Sequence, residues 1–334
     1  MKKFLSVILC ICVLFTACSG MFTAFAASKK ALSLSAGIDA LREQFEFGES
    51  ALDYAYYSPV RSKKDDTQYP VVIWLHGMRS GMYSGQQIKL NDIPYWSSSE
   101  FQSRFDEGGA YILCPRCPGL PLSMWGEEMV TPLKSTIDDF IEKYSYNIDT
   151  SRIYIGGLSM GGKMTVQMAS AYPDFFAACF PVAPYCNPTK TELKNMSGTP
   201  TWLVASTIDP YVSYSGVLKP AFEYLASVSD TPEEHRMSSI SLACYPNGIP
   251  VHNMHYVWYA VTYDMFTTNN QPYYYMDTVD GHGNLIVLNY PDGMISWLNE
   301  FSTDGDGTAS NVNLFSVIGG IIVSVISYLI KLVL

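Results

Sequence analysis

Apolar and polar positions along the chain follow two different periods. Val71-Val72-Ile73-Trp74-Leu75 is a continuous apolar run, as expected for a strand buried on both faces. Tyr111-Ile112-Leu113 is a second run, stopped by Pro115. Leu133, Ile137, Ile141 and Tyr144 recur at helical spacing and predict an amphipathic helix over about 131–145. Arg152-Ile153-Tyr154-Ile155 predicts the next strand. Gly161 to Tyr172 then reads as a helix, with Met164, Met168 and Ala171 on one face and Pro173 closing it. Ala178 to Val182 and Trp202 to Ala205 predict two more strands, and Gly293 to Phe301 a late helix. Strands that alternate with helices imply a mainly parallel α/β sheet flanked by helices. Sites in such sheets lie at the carboxyl ends of the strands. Upstream, Leu52, Tyr54 and Tyr56 alternate as in an antiparallel edge strand, and residues 28–50 are expected to form a helix or a wrap.

Both ends depart from this pattern. Lys2 and Lys3 precede an apolar run from Phe4 to Phe15, and small residues end in Ala24-Phe25-Ala26-Ala27. That order describes a secretory signal peptide over residues 1–26. A lipoprotein signal with Ala17 before a lipid-modified Cys18 is the alternative, and an uncut anchor is a third. Residues 314–334 are apolar apart from small residues and Lys331, a length that matches a bilayer core of about 30 Å. Ser316, Gly320, Ser324, Ser327 and Lys331 share one helical face, so this transmembrane helix could self-associate in the membrane. A terminal amphipathic helix packed on the domain is the rival reading. Residues 302–313, polar and Gly-rich at their start, are expected to be a flexible tether between a domain over 27–301 and that helix. The domain would then lie on the outer face of the cell membrane.

The composition narrows the class. Among 334 residues, 48% are hydrophobic and 16% charged, which excludes a disordered chain. A net charge of −10 argues against nucleic-acid binding. Cys10, Cys12 and Cys18 fall in the leader. Cys114, Cys117, Cys179, Cys186 and Cys244 remain, an odd number, so at least one is unpaired within the chain. Cys114-Pro115-Arg116-Cys117 has redox or metal spacing, but it lacks a second pair.

Gly157-Leu158-Ser159-Met160-Gly161 matches G-x-S-x-G between a predicted strand and a predicted helix. That context makes the motif chemical. The serine must sit on a strained turn, and Gly157, Gly161 and Gly162 leave room for the backbone to fold beneath it. The following helix aims free N–H groups at the site. Ser159 is therefore the candidate nucleophile.

These residues, with Leu75-His76-Gly77, resemble the α/β-hydrolase fold. More narrowly, the chain resembles secreted esterases of the polyhydroxybutyrate depolymerase and feruloyl esterase type and predicted peptidases close to them. Asn147 to Tyr154 before the motif and Tyr172 to Ala178 after it carry the likeness, which weakens after Asp209. The resemblance implies an oxyanion hole from the backbone N–H groups of Met78 and Met160, with His76 shaping the loop. The base must follow the acid in the chain. Its candidates are His235, His252, His255 and His282. His235 reads as solvated surface. His252 and His255 read as core or surface imidazoles before a strand-like run, Tyr256 to Val261. His282, in Asp280-Gly281-His282-Gly283, fits the family's Gly-His loop and is taken as the base. The acid is taken as Asp209, in Ile208-Asp209-Pro210, with Asp277 and Asp280 as alternatives. The long interval between Asp209 and His282 implies an insertion around 228–275 before the catalytic histidine.

The resemblance implies an extracellular serine hydrolase acting on small-molecule or polysaccharide-linked esters through Ser159, Asp209 and His282. No metal or organic cofactor is implied. A small-peptide hydrolase of the prolyl-oligopeptidase type and an inactive surface binding domain are the alternatives.

Overall fold

The computed structural model describes residues 37–62, 64–119, 124–242, 250–266, 275–288 and 293–304. The expected leader, the apolar segment 314–334 and residues 305–313 of the expected tether lie outside the described residues. Among the described residues, no helix is long and apolar enough to cross a membrane.

Nine strands of the described residues form one sheet. They are β1 (Glu46–Glu49), β2 (Asp53–Tyr57), β3 (Tyr69–Leu75), β4 (Tyr111–Pro115), β5 (Ile148–Leu158), β6 (Ala178–Val182), β7 (Trp202–Ser206), β8 (Arg236–Leu242) and β9 (Tyr275–Asp280). Their spatial order is β1-β2-β4-β3-β5-β6-β7-β8-β9. From β4 to β8 every pairing is parallel. β1 and β2 join at one edge and β9 at the other, all antiparallel. The chain leaves β3 towards β4 and then returns to pair β5 on the other side of β3. The direction of winding thus reverses between β3 and β5, and a crevice opens there at the carboxyl ends of the strands.

The continuous apolar runs follow from cover on both faces. Every residue of β3 is buried. Val72 and Trp74 face one core with Trp96, Phe101 and Trp297. Val71, Ile73 and Leu75 face the other, as the two-residue period of a strand requires. Helix α1 (Val130–Lys143) sets Leu133, Ile137 and Phe140 into the second core, and α2 (Met160–Ala171) sets Met164 and Met168 there. Further helices are α3 (Lys190–Asn195), α4 (Lys219–Val228), α5 (Trp258–Thr262) and α6 (Met294–Leu298). The sheet's end is closed by Tyr154, whose hydroxyl donates to the Phe301 carbonyl at 3.0 Å. Thr303 N–H donates to Ser151 O at 2.9 Å, so the start of the expected tether is still attached to β5.

Three expectations change. The strand around Tyr54 is not the edge, because β1 lies outside it; residues 37–42 are helical. The region expected to be an insertion contains β8, an interior strand of the sheet. The aromatic run read as a strand after His255 contains α5 instead, because Trp258, Ala260 and Val261 pack into the core as one helical turn.

Asp264 ties α5 to α6. Its carboxylate is fully buried, accepts the Met294 N–H at 2.5 Å and pairs with Arg104 at 3.1 Å. Burial pushes this carboxyl up to about 6, against the pull of the Met294 N–H and the Arg104 charge. An unfolded aspartate titrates near 4, so between about 4 and 6 the folded state holds the proton more tightly. The stability this group contributes is therefore lost as pH rises through that window. In urea melts, the stability of wild type relative to Asp264→Asn is expected to fall from pH 4 to pH 6 and then level off. A difference that stays flat across the window contradicts this assignment.

Candidate active site

The elbow at the end of β5 is built by crowding. Ser159 sits at φ 58°, ψ −111°, a conformation that costs a residue with a Cβ on the order of 1–3 kcal/mol. Its neighbours hold it there. Ser159 N–H donates to Val182 O at 2.9 Å, and the Ser159 carbonyl accepts from the Lys163 and Tyr185 amides at 2.9 Å each. A Cβ on Gly161 would overlap the Leu75 carbonyl, and one on Gly157 would stand 2.5 Å from the same oxygen. Both positions need glycine because β3 and β5 run side by side beneath the turn.

Asp209 follows β7 in the turn predicted for it. Its Oδ1 accepts the Tyr211 and Val212 N–H groups at 2.7 and 3.1 Å. Its Oδ2 meets Nδ1 of His255 at 2.7 Å. The Asp209 side chain is fully enclosed and that of His255 is 7% exposed. Burial alone pushes the Asp209 carboxyl up. The His255 hydrogen bond and the two amides outweigh burial and hold the carboxyl below its ordinary value. A carboxylate accepts and does not donate, so Nδ1 of His255 carries a proton, and in the neutral tautomer Nε2 is the ring's acceptor. The Asn253 side chain accepts the His255 N–H at 3.0 Å, and Tyr211 stands edge-on to the imidazole at 5.1 Å. Ser159, His255, Gly77 and Met78 all line one cavity of about 670 Å³, whose wall also carries Tyr185, Tyr211 and Trp258.

His76 is a structural residue. It is fully buried; its Nε2 accepts the Cys117 N–H at 3.0 Å and its Nδ1 donates to Gly77 O at 2.7 Å. Trp125 donates to its carbonyl at 2.9 Å. Burial lowers the imidazole to about 4, so it stays neutral. The loop it fixes carries Met78. Among the described residues, neither the Met78 nor the Met160 N–H has a protein acceptor. Among the described residues, Cys114, Cys179 and Cys186 are free thiols, so the Cys114–Cys117 spacing marks no disulfide; Cys244 lies outside the described residues.

Asp209 and Ser159 are linked through His255, which pairs with the first and shares a cavity with the second; His282 lies elsewhere. β9 runs antiparallel to β8, and its end, Asp280, pairs with Arg236 at the start of β8. His282 therefore lies at the amino ends of the parallel strands, opposite Ser159. Its side chain is 55% exposed and faces Glu233 at 3.6 Å. Asp280 belongs to the same remote turn, where it accepts the His282 and Asn284 N–H groups. Asp277 pairs with Ser239 along β9. His252 is exposed. His235, expected at the surface, is fully buried at the start of β8, where Nε2 meets Ser197 O at 3.1 Å and burial lowers it to about 4.

Comparison with known proteins fits this architecture. A model of the prolyl oligopeptidase family matches residues 123–219, which include the elbow. A solved thermostable esterase superposes with a TM-score of 0.57 at 21% identity, covering 79% of this chain and 64% of that one. The chain folds as an α/β-hydrolase. Feruloyl esterase B of Thermothelomyces thermophilus is 30% identical over 149 residues, 41% of this chain and 46% of the relative. Poly(3-hydroxybutyrate) depolymerase of Ralstonia pickettii is 27% identical over 141 residues, 39% and 28% of the two chains. Feruloyl esterase B of Neurospora crassa is 25% identical over 248 residues, 66% and 79%. The chain spans less than half the length of the first two relatives. All three names are those of esterases or depolymerases.

His255 is the candidate residue that sequence reasoning passed over. One signal for it was present. It follows Asp209 by 46 residues, in the required chain order, without any insertion.

Proposed function

We propose that this α/β-hydrolase cleaves carboxylic esters through Ser159, His255 and Asp209. The observation that carries the reading is the buried Asp209–His255 pair, whose imidazole lines one cavity with a serine on a strained elbow. His255 Nε2 takes the Ser159 proton as Oγ attacks the acyl carbon. The N–H groups of Met78 and Met160 hold the oxyanion that forms. The intermediate collapses, His255 returns the proton to the leaving alcohol, and Ser159 keeps the acyl group. Water, deprotonated by the same imidazole, then releases the acid and restores Ser159. Asp209 fixes the tautomer and stabilises the imidazolium. The sequence needs no cofactor. The leader-like residues 1–26 support export, and the apolar residues 314–334 support anchoring at the outer face of the membrane.

A peptidase is the second reading, favoured by the match of residues 123–219 to the prolyl oligopeptidase family. Parallel assays on 4-nitrophenyl esters, methyl ferulate and peptide 4-nitroanilides separate the two. The ester reading expects kcat/KM for esters to exceed that for anilides by at least about 100-fold. Turnover of anilides with no turnover of any ester overturns it.

Asp209→Asn tests the acid. The amide can still receive the Nδ1 proton, but it can also present its NH₂ and stabilise the wrong tautomer. A loss of about 10⁴ in kcat is expected, the size seen when such an aspartate is replaced in a serine protease. Full activity in Asp209→Asn, with loss in Asp277→Asn or Asp280→Asn, contradicts the assignment.

A further inference from the structure

The imidazole of His255 is held by more than Asp209. His255 lies in a loop anchored by the buried Met254 and Val257, whereas Asp209 lies in the turn after β7. Beside the Asp209–His255 bond, a second polar contact joins loop and turn: the Asn253 side-chain Nδ2 donates to the Tyr211 hydroxyl at 3.4 Å. Both residues are also tied to the pair from their other ends. Asn253 Oδ1 accepts the His255 N–H at 3.0 Å, and Asp209 Oδ1 accepts the Tyr211 N–H at 2.7 Å. The contacts therefore close a ring that runs from Asp209 to Tyr211, to Asn253, to His255 and back to Asp209.

The Tyr211 side chain also packs on the imidazole, with centroids 5.1 Å apart and planes at 79°. Core burial does not account for this placement, because Tyr211 is 58% exposed. Its amide, its ring and its hydroxyl instead each meet a member of the same unit. An imidazole needs such support. Its outer side-chain torsion is broad, and a single bond at Nδ1 leaves the ring free to swing about that contact. A second ring packed against it and a fixed backbone at its root restrict that swing.

We propose that Tyr211 and Asn253 are positioning residues for the base: they hold the His255 imidazole against Asp209 and keep Nε2 turned to the cavity that Ser159 shares. The proposal rests on the ester-hydrolase reading and adds two residues to its machinery. Neither residue moves a proton. Asn253 acts through the His255 backbone and through Tyr211, and Tyr211 acts through its packing on the imidazole. A misplacement of about 1 Å can cost about 10²-fold in rate, so loss of either brace should appear in kcat.

Four substitutions in the full-length chain test this. Tyr211→Phe removes the hydroxyl and keeps the ring. Tyr211→Ala removes both and keeps the amide. Asn253→Ala removes both bonds of its side chain, and Asn253→Ser keeps an oxygen that can accept the His255 N–H. With 4-nitrophenyl esters, kcat is expected to fall about threefold in Tyr211→Phe and about tenfold or more in Tyr211→Ala and Asn253→Ala, with part restored in Asn253→Ser. Asn253 is not among the described residues lining the cavity, so KM in Asn253→Ala should stay within about twofold of wild type. Adding Tyr211→Phe to Asn253→Ala should cost nothing further, because both break the same bond. A readout independent of turnover is the downfield proton resonance of His255 Nδ1–H, assigned by its absence from His255→Ala. It should broaden through faster exchange with water in Asn253→Ala and Tyr211→Ala while circular dichroism shows both folded. A kcat within about twofold of wild type in folded Asn253→Ala and Tyr211→Ala overturns the proposal, as does a loss in Asn253→Ala carried by KM alone. If these truncations do not fold, Tyr211→Phe, which removes one exposed oxygen, decides: an unchanged kcat overturns the proposal. The ester reading fails separately, by no turnover of any ester by wild type or by full activity in His255→Ala, and the Nδ1–H resonance then judges the brace without it.

Discussion

Ser159→Ala is expected to lower kcat for ester hydrolysis by about 10⁶-fold. The size follows from the role. Without Oγ there is no acyl-enzyme, and the remaining groups act on water alone; loss of the nucleophile in a comparable triad has an effect of that order. What survives is binding and the oxyanion donors, worth about 10³–10⁴ over the reaction in water. The fold should be unaffected. Among the described residues, the bonds that hold the elbow come from the Ser159 backbone, not its side chain. The melting temperature of the variant should therefore lie within a few degrees of wild type. Steady-state kinetics beside a thermal melt check both halves. A variant that is folded and fully active removes the proposed mechanism.

His255→Ala is expected to lower kcat by about 10⁴-fold or more, and His282→Ala to change it by less than about twofold. The contrast is the sharper test, because both histidines satisfy the chain order Ser, Asp, His. Only His255 is placed against the buried Asp209 carboxylate. Removing it also leaves that carboxylate without its imidazole, and its Tyr211 and Val212 donors remain to hold the charge. Some loss of stability is expected in His255→Ala for this reason, so activity is to be compared at a temperature where both variants are folded. His282 is half exposed on a turn at the far end of the sheet, and its removal uncovers no buried charge. Full activity in His255→Ala with loss in His282→Ala reverses the assignment.

What the sequence revealed, and what it hid, follows from how local each demand is. The elbow at Ser159 was legible because its requirements are contiguous: a buried strand, glycines at 157 and 161 where a Cβ meets Leu75 O, and a helix beginning at Met160. The turn at Asp209 was legible because the residue closes it, bonding amides two and three residues ahead. The histidine was not. Asp280-Gly281-His282-Gly283 has the look of a functional loop, but its glycines serve a tight turn, with Gly283 at φ 82°. Where that turn lands depends on the direction of β9, and pairing direction is set by tertiary contacts with β8 rather than by the residues of the turn. His255 was hidden for a complementary reason. The aromatic stretch after it has both strand and helix character, and the choice is made by packing of α5 against the sheet. His235 shows the same limit: its polar neighbours Glu233 and Glu234 conceal a fully buried ring.

The most direct test of the central claim, that His255 activates Ser159, is intact-mass labelling with a fluorophosphonate. Four proteins are compared: wild type, Ser159→Ala, His255→Ala and His282→Ala. The account predicts one adduct on wild type and on His282→Ala, none on Ser159→Ala, and labelling of His255→Ala slowed by orders of magnitude. Rapid labelling of His255→Ala, or an adduct on folded Ser159→Ala, would contradict it.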